Sequence, residues 1–478
     1  MIVIPRLVIS ALRGGAGKSL LTLGLARALV QDGVCLKAFK KGPDYIDAAW
    51  LSLAARRPAS NLDPFFLPPE RLRALFAHAL TSCQGMQTAD FALIEGNRGL
   101  FDGRDLEGSC STAELARIVQ SPILLSLDCT KMTRTAAAVL GGLLAFEKDV
   151  HIAGVVLNKL GSERHASLVR SAIEHYCSVP VFGALPRMPK NPLPERHMGL
   201  ALHAGEEAGQ EAAHALLDEL AAYLRKHLDI GSIVQVAQAA PSLPDCAPLW
   251  PEPRPPAFAV RPRIGYVCDA ALWFYYQENL EALEKAGAEL VRLSLLDSQP
   301  WPQLDALYLG GGFPEDFCAE LGATRKLELL REYAELGMPI YAECGGMLLL
   351  VRGLERQGRN YPMAGIFPLQ AHFYAQPQGL GYTEATVVRD NPFHPQGSRL
   401  RGHEFHYTRC VAEKVVPDLP YALRLDCGAG LIPGLSPGLD GLSYKAVFAS
   451  YMHIFAPAVP HWARRFIEAA ASFAASRL

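Results

Sequence analysis

None of the eleven cysteines forms a C-x-x-C pair. That excludes a dithiol redox motif and a zinc ribbon of that spacing. There is no long basic run, and 46 Lys and Arg against 48 Asp and Glu leave a net charge of −2. Binding along a phosphate backbone leans on clustered Lys and Arg, so nucleic acid is not an expected partner. Long apolar runs are missing as well. The longest stretches, such as AAAVLGGLLAF at 136–146, fall well short of the ~20 residues a membrane helix needs. The opening MIVIPRLVIS is too short and too broken for a signal peptide. An odd scatter of thiols in a large chain fits a reducing cytoplasm, which is the expected location, with no membrane partner.

The chain has 478 residues, half of them hydrophobic and a fifth charged. Domains usually hold about 100–200 residues, so at least two are expected. The segment APSLPDCAPLWPEPRPPA (240–257) is rich in proline and has neither helical nor strand periodicity. It divides the chain into a domain at 1–239, a linker at 240–260 and a domain at 261–478. On both sides short apolar runs alternate with helical patterns. Strands are predicted at 6–11, 35–39, 91–96, 122–128 and 152–159, and helices at 17–32, 111–120, 132–147 and 163–176. After the linker, strands are predicted at 263–269, 306–312 and 339–344, with a helix at 277–287. Beta-like runs fill 363–455, and an amphipathic helix closes the chain. The rhythm predicts two α/β domains, the first with a mostly parallel sheet covered by helices on both faces.

RGGAGKS (13–19) follows a predicted strand and opens a predicted helix, the context of a phosphate-binding P-loop. Gly14, Gly15 and Gly17 let backbone N–H groups approach phosphate oxygens. Lys18 reaches the β/γ-phosphates, Ser19 is placed to ligate Mg²⁺, and the helix N-terminus adds its dipole. ATP and Mg²⁺ are therefore expected. Leu12 stands where the usual pattern has its first Gly, so the loop is nearer the variant with a basic residue, Arg13, before Gly-Gly. Acids follow in two glycine-containing motifs: Asp44 and Asp47 in KKGPDYID, Glu95 and Asp102 in IEGNRGLFDG. A carboxylate at a strand's C-terminal edge facing the P-loop holds Mg²⁺ or orients a nucleophile. Asp44 and Glu95 are candidates for the metal, Asp47 and Asp102 for the reacting substrate. Asn158, ending GVVLN, reads equally as an adenine contact or a turn residue.

YAECGGM (341–347) sets a thiol between an acid and two glycines just after an apolar run. A strand–nucleophile–helix turn exposes Cys344 and aims it at a helix N-terminus, which is expected to lower the thiol pKa. Gly311, in LGGG (309–312), and Gly345 are candidate oxyanion donors through their backbone N–H groups. His453, in ASYMHIF, is a candidate general base.

Taken in order, the P-loop, KGPDYID, EGNRGLFDG, VVLNKLGSERH, GALPR, ERHMGL (195–200), FYYQENLEALEKAGAEL, LYLGGGFPEDF, YAECGG and GHEFHYT resemble the cobyrinate a,c-diamide synthases over nearly the whole chain. The resemblance implies a P-loop, dethiobiotin-synthetase-like amide ligase followed by a class I glutamine amidotransferase domain. It implies ATP, L-glutamine and a polycarboxylate macrocycle as partners, and it allows a homodimer. Cys344 would release ammonia from glutamine with His453 assisting, and ATP would activate the a- and c-acetate carboxylates of a corrin. The Glu usually found two residues after the amidotransferase His is missing here: Ile454 and Phe455 follow His453. The resembled family shares that lack, so a Cys–His pair is the expected unit. Arg13 and Arg98 depart from the family's usual residues, which keeps sirohaem or another sirohydrochlorin-derived macrocycle as an alternative substrate. A regulatory or partitioning ATPase with the same P-loop is the alternative of another class.

Overall fold

The computed structural model describes residues 2–81, 87–188, 207–250, 261–411, 419–431 and 438–477. These fall into two compact units that meet in sequence between Leu249 and Trp250. The motif ERHMGL (195–200) and the later part of the proline-rich segment, 251–257, lie outside the described residues.

The first unit is built on seven parallel strands: β1 (Arg6–Ala11), β2 (Leu36–Lys41), β3 (Ser60–Leu62), β4 (Phe91–Glu95), β5 (Ile123–Asp128), β6 (Ile152–Leu160) and β7 (Val181–Pro186), in the order β3-β2-β4-β1-β5-β6-β7. The first five are buried along their whole length. That is why β1, β4 and β5 read as continuous apolar runs rather than alternating ones, while the short β3 (SNL) was not expected as a strand. The chain leaves β1 for α1 (Lys18–Gln31), while β4 and β5 flank β1 on its two sides. The carboxyl ends of these central strands therefore open a crevice where a parallel sheet binds its ligand. The helix Glu207–His227, absent from the sequence reading, lies against α1. A Cβ at Gly24 would meet Leu224 Cγ at 2.9 Å and Leu220 O at 3.1 Å, so Gly24 permits the close approach. Residues 240–249, expected as linker, are tied to this unit. Ile2 N and Leu243 N each donate to the other residue's carbonyl at 3.0 Å, and Arg71 Nη2 donates to Leu249 O at 2.7 Å.

In the second unit, β8 (Arg263–Val267), β10 (Glu289–Leu293), β11 (Ala306–Leu309), β13 (Ile340–Glu343) and the strand Val447–Ser450 form a parallel half-sheet. It continues into antiparallel strands ending at His453–Ile454. Between these, β9 (Leu272–Phe274) pairs with β12 (Gly311–Gly312). The sheet buries both faces with a period of two. Leu307, Leu309, Ile340 and Ala342 pack on one side with Met347 and Leu349. Tyr308 and Tyr341 pack on the other with Trp462, Phe466 and Ala470 of the closing helix Trp462–Ser476. The expected strand at 306–312 is two short strands broken at Gly310. Among the described residues no helix is long and apolar enough to cross a membrane.

Candidate active sites

In the first unit, Gly15 and Gly17 adopt φ of 69° and 91°, left-handed values that favour glycine. Gly17 is the residue before α1, so the N–H groups of the first turn face the crevice. Lys18 Nζ donates to Arg98 O at 2.6 Å and to Arg13 O at 3.3 Å. Burial and the neighbouring Lys40 lower its pKa. Ser19 Oγ donates to Glu95 Oε1 at 2.7 Å. Glu95 is 1% exposed and its Oε2 has no hydrogen-bond partner in the structure. Burial pushes its carboxyl up to about 7 against the attraction of Lys40. A buried orphaned carboxylate oxygen beside a hydroxyl at a phosphate loop fits the hard-oxygen preference of Mg²⁺. Among the described residues no three His, Cys, Asp or Glu side chains cluster as a metal-ligand set.

The other expected residues take distinct places. Asp44 caps α2 (Tyr45–Ala55) by accepting from Asp47 N at 2.8 Å. Burial, with Asp47 beside it, raises its carboxyl to about 6. Asp47 pairs with Lys40 Nζ, which also donates to Glu95 Oε1 at 3.1 Å. Asp102 holds its own loop by accepting from Gly99 N at 2.8 Å. Arg98 serves Lys18 through its carbonyl while its side chain is exposed. Asn158 Nδ2 donates to Ala16 O at 3.0 Å and its Oδ1 accepts from Lys159 N at 2.8 Å, so it braces the phosphate loop. Arg13 reaches Asp128 at 3.4 Å.

Lys40 was missed by the sequence reading. It is 2% exposed and joins the two acidic motifs. Burial opposes its charge, but Asp47 and Glu95 outweigh that and raise its pKa. Its signal was the pair of lysines at the end of a buried strand, directly before the acids.

In the second unit Cys344 sits at the turn from β13 into the helix Gly345–Leu348, with φ 47° and ψ −105°. A non-glycine residue at positive φ is strained, and this is the geometry of a nucleophile elbow. The turn is held by Cys344 N donating to Ser450 O at 2.7 Å and Gly346 N to Gly310 O at 2.9 Å. The thiol donates to Phe405 O at 3.5 Å. The thiol is neither exposed nor of low pKa as expected: Cys344 is buried, and burial, and then the charge of Glu315, push its pKa well above 9, outweighing the helix N-terminus. Gly311 lies against the His453 ring: a Cβ there would collide with Cε1, and Nε2 is 3.1 Å away. A Cβ at Gly345 would meet Gly312 N and O at 2.8 Å, so Gly345 packs directly against the residue after Gly311. His453 is fully buried and stacks on His403, with ring centroids 4.9 Å apart. Its Nδ1 lies 3.4 Å from Oε2 of Glu343.

One unit carries a phosphate loop on a parallel sheet and the other a cysteine at a strand–helix turn, and the relatives place the chain among glutamine-dependent amide ligases. Residues 7–200 match the family described as the CobQ/CobB/MinD/ParA nucleotide binding domain, and residues 263–459 the CobB/CobQ-like glutamine amidotransferase domain. A cobyrinate a,c-diamide synthase of Magnetococcus marinus is 42% identical, over 96% of this chain and 96% of its own. One from Syntrophotalea carbinolica is 38% identical, over 97% and 98%. A crystal structure of a glutamine amidotransferase is 18% identical with a TM-score of 0.31, over 43% of this chain and 98% of its own; it adds nothing to the assignment. The chain belongs to the cobyrinate a,c-diamide synthase family.

Proposed function

We propose that this enzyme converts the a- and c-acetate carboxylates of cobyrinate to carboxamides, spending ATP and glutamine for each. The observation carrying this reading is that the chain matches cobyrinate a,c-diamide synthases over nearly its whole length, across both the unit with the phosphate loop and the unit with Cys344 and His453.

At the glutaminase site, His453 takes the thiol proton and Cys344 Sγ attacks the side-chain amide carbon of glutamine. The N–H groups of Gly311 and Gly345 receive the oxyanion. The imidazolium returns its proton to the amide nitrogen, the C–N bond breaks, and ammonia leaves. Water, deprotonated by His453, then cleaves the thioester to glutamate and the free thiol. At the ligase site a substrate carboxylate oxygen attacks the γ-phosphorus of ATP and ADP departs. Ammonia attacks the resulting acyl phosphate and inorganic phosphate leaves with formation of the amide. Lys18 and the loop N–H groups stabilise phosphate charge. Ser19 and Glu95 would hold Mg²⁺, with Asp44, which caps α2, as the further candidate ligand, and the ion would supply positive charge to offset that of the phosphates. Asp47, Asp102 and Arg98 border the carboxylate's approach in this reading, and Asn158 contributes by holding the loop that carries ATP.

Ten described cysteines are free thiols, which supports a reducing, cytoplasmic setting. Arg13 already faces Asp128, which weakens the argument that it selects a different macrocycle. The test incubates the enzyme with ATP, Mg²⁺, glutamine and, in parallel, cobyrinic acid and sirohaem. Two acid-to-amide conversions of cobyrinic acid by mass are expected. Conversion of sirohaem alone would replace the substrate. ATP hydrolysis without either conversion would favour a regulatory ATPase.

A further inference from the structure

The family resemblance leaves the amidotransferase histidine without an acid, since Ile454 and Phe455 follow it. The structure supplies one from the other side of the nucleophile. Glu343, the last residue of β13 and the immediate neighbour of Cys344, is fully buried. Burying a carboxylate is costly unless hydrogen bonds replace water. Three donors surround this one. Ile454 N donates to Oε1 at 3.1 Å, Tyr308 Oη donates to Oε2 at 3.1 Å, and His453 Nδ1 lies 3.4 Å from Oε2.

The sense of these bonds follows from the donors behind them. Asn279 Oδ1 accepts from Ala456 N at 2.7 Å, so its Nδ2 is the group that faces Tyr308 Oη at 3.1 Å and Ile454 O at 3.0 Å. The Tyr308 hydroxyl oxygen thus accepts from Asn279, and its hydrogen goes to Glu343. The carboxylate is an acceptor towards all three groups, so His453 carries its hydrogen on Nδ1. That leaves Nε2, on the ring edge beside Gly311, as the basic nitrogen. At 3.4 Å the His453 contact is longer than an ideal bond, and such contacts commonly tighten when substrate is bound.

We infer that Glu343 is the positioning residue of the glutaminase: it fixes the tautomer and orientation of His453 and stabilises the imidazolium that forms when Cys344 gives up its proton. Strand geometry explains how one chain position can do this. Tyr341 and Glu343 point to the sheet face that carries Tyr308, while Ala342 and Cys344 belong to the opposite face. The acid and the nucleophile are adjacent in sequence, yet they reach the histidine from different sides. The Ser450 carbonyl that holds Cys344 N lies three residues before His453, so the chain that pairs with β13 leads directly to the histidine. The inference rests on Cys344 and His453 being the glutaminase pair.

The test is Glu343→Gln in the full-length enzyme, with glutamine hydrolysis and amidation from glutamine or from free ammonia measured separately. Glutaminase kcat is expected to fall about 100-fold, within the range supplied by general acid–base catalysis. KM for glutamine should stay within twofold, and ammonia-driven amidation should persist. In a His453→Ala background the same substitution should cost nothing further, because Glu343 acts only through the ring. Glu343→Asp, which keeps the charge but shortens the reach, should fall between the wild type and the Gln variant. It carries the test alone if the Gln variant is insoluble, and wild-type kcat in it would then overturn the inference. Undiminished glutaminase in Glu343→Gln, or a full added loss on top of His453→Ala, overturns it as well. Loss of ammonia-driven amidation along with glutaminase would mark Glu343 as structural. Cys344→Ala serves as the control: if that variant still hydrolyses glutamine, the pair itself is misassigned, whatever Glu343 does.

Discussion

Ser19 donates its hydroxyl hydrogen to Glu95 Oε1 over 2.7 Å, joining the first turn of α1 to the end of β4. Lys40 approaches the same carboxylate oxygen at 3.1 Å from the end of β2. Two strands and the first turn of α1 thus bring an acid, a cation and a hydroxyl to one crevice, with the second carboxylate oxygen of Glu95 left over for a ligand.

Lys18→Ala should abolish amidation from either nitrogen donor. Removing one preorganised charge from a phosphoryl-transfer site costs about 10²–10³-fold in rate, and the lysine here is the loop's own phosphate partner. Glutamine hydrolysis at Cys344 should persist. Mass spectrometry of the amide products and a separate glutamate assay read the two outcomes; wild-type amidation in the variant would remove the P-loop assignment.

The four acids should not be equal. Glu95→Gln takes charge from the site's buried centre and should reduce amidation most, with Asp47→Asn next because it strips Lys40 of a counter-charge. Asp102→Asn leaves an oxygen that still accepts from Gly99 N, so its effect should stay within about 1 kcal/mol. Steady-state rates with ammonia as donor rank them. An Asp102 variant slower than the Glu95 variant would contradict this order.

Cys344→Ala should lose glutamine as a nitrogen source at every concentration, because no thioester forms. Free ammonia should restore amidation, more strongly as pH rises towards the pKa of ammonium, since only NH₃ attacks. His453→Ala should show the same pattern less completely. A Cys344 variant that is folded, binds ATP and fails with both donors would point to a structural thiol.

The thiol of Cys344 is held neutral in the absence of glutamine by burial and by the negative charge of Glu315. Its alkylation by iodoacetamide should therefore climb with pH without levelling off below pH 9. Glu315→Gln removes that charge, lowers the thiol pKa and should speed alkylation at pH 8 several-fold. Unchanged alkylation would mean that burial alone sets the thiol's protonation.

Asp440 provides a stability test. It is 1% exposed and accepts from Ser450 Oγ at 2.8 Å and Gly441 N at 2.7 Å, supporting the strand that holds the cysteine turn. Burial raises its carboxyl from 3.8 to about 6. Between those values the folded chain keeps a proton that the unfolded chain has released. Its contribution is thus full below about pH 4 and is lost as pH rises to about 6, by on the order of 3 kcal/mol. Asp440→Asn should remove that slope. Urea melts of both proteins from pH 4.5 to 7 should diverge in that window and run parallel above it; parallel curves throughout would show that Asp440 titrates normally.

The phosphate loop and the cysteine turn were legible because each is a local backbone device. Glycines at positive φ before a Lys-Ser helix start, and a Cys-Gly-Gly step after a buried strand, carry their geometry within a few residues. Five of the seven strands of the first unit were readable because burial on both faces favours an apolar run; β3 (SNL) and β7 (VFGALP) are too short or too mixed to carry that signal. The helix Glu207–His227 gave no comparable signal in the reading, and its place beside α1 depends on Gly24 making room. The acidic motifs were visible, but not their ranking, because Lys40 reaches Glu95 across 55 positions and Ser19 reaches it across 76. The acid beside the thiol was in plain view at 343, yet its histidine lies 110 positions later. Sequence by itself determined the two chemistries and their order along the chain. Only the tertiary structure decided which acid serves which base, because hydrogen-bond partners are chosen by strand pairing and by the faces of a sheet, and neither is a property of neighbouring residues.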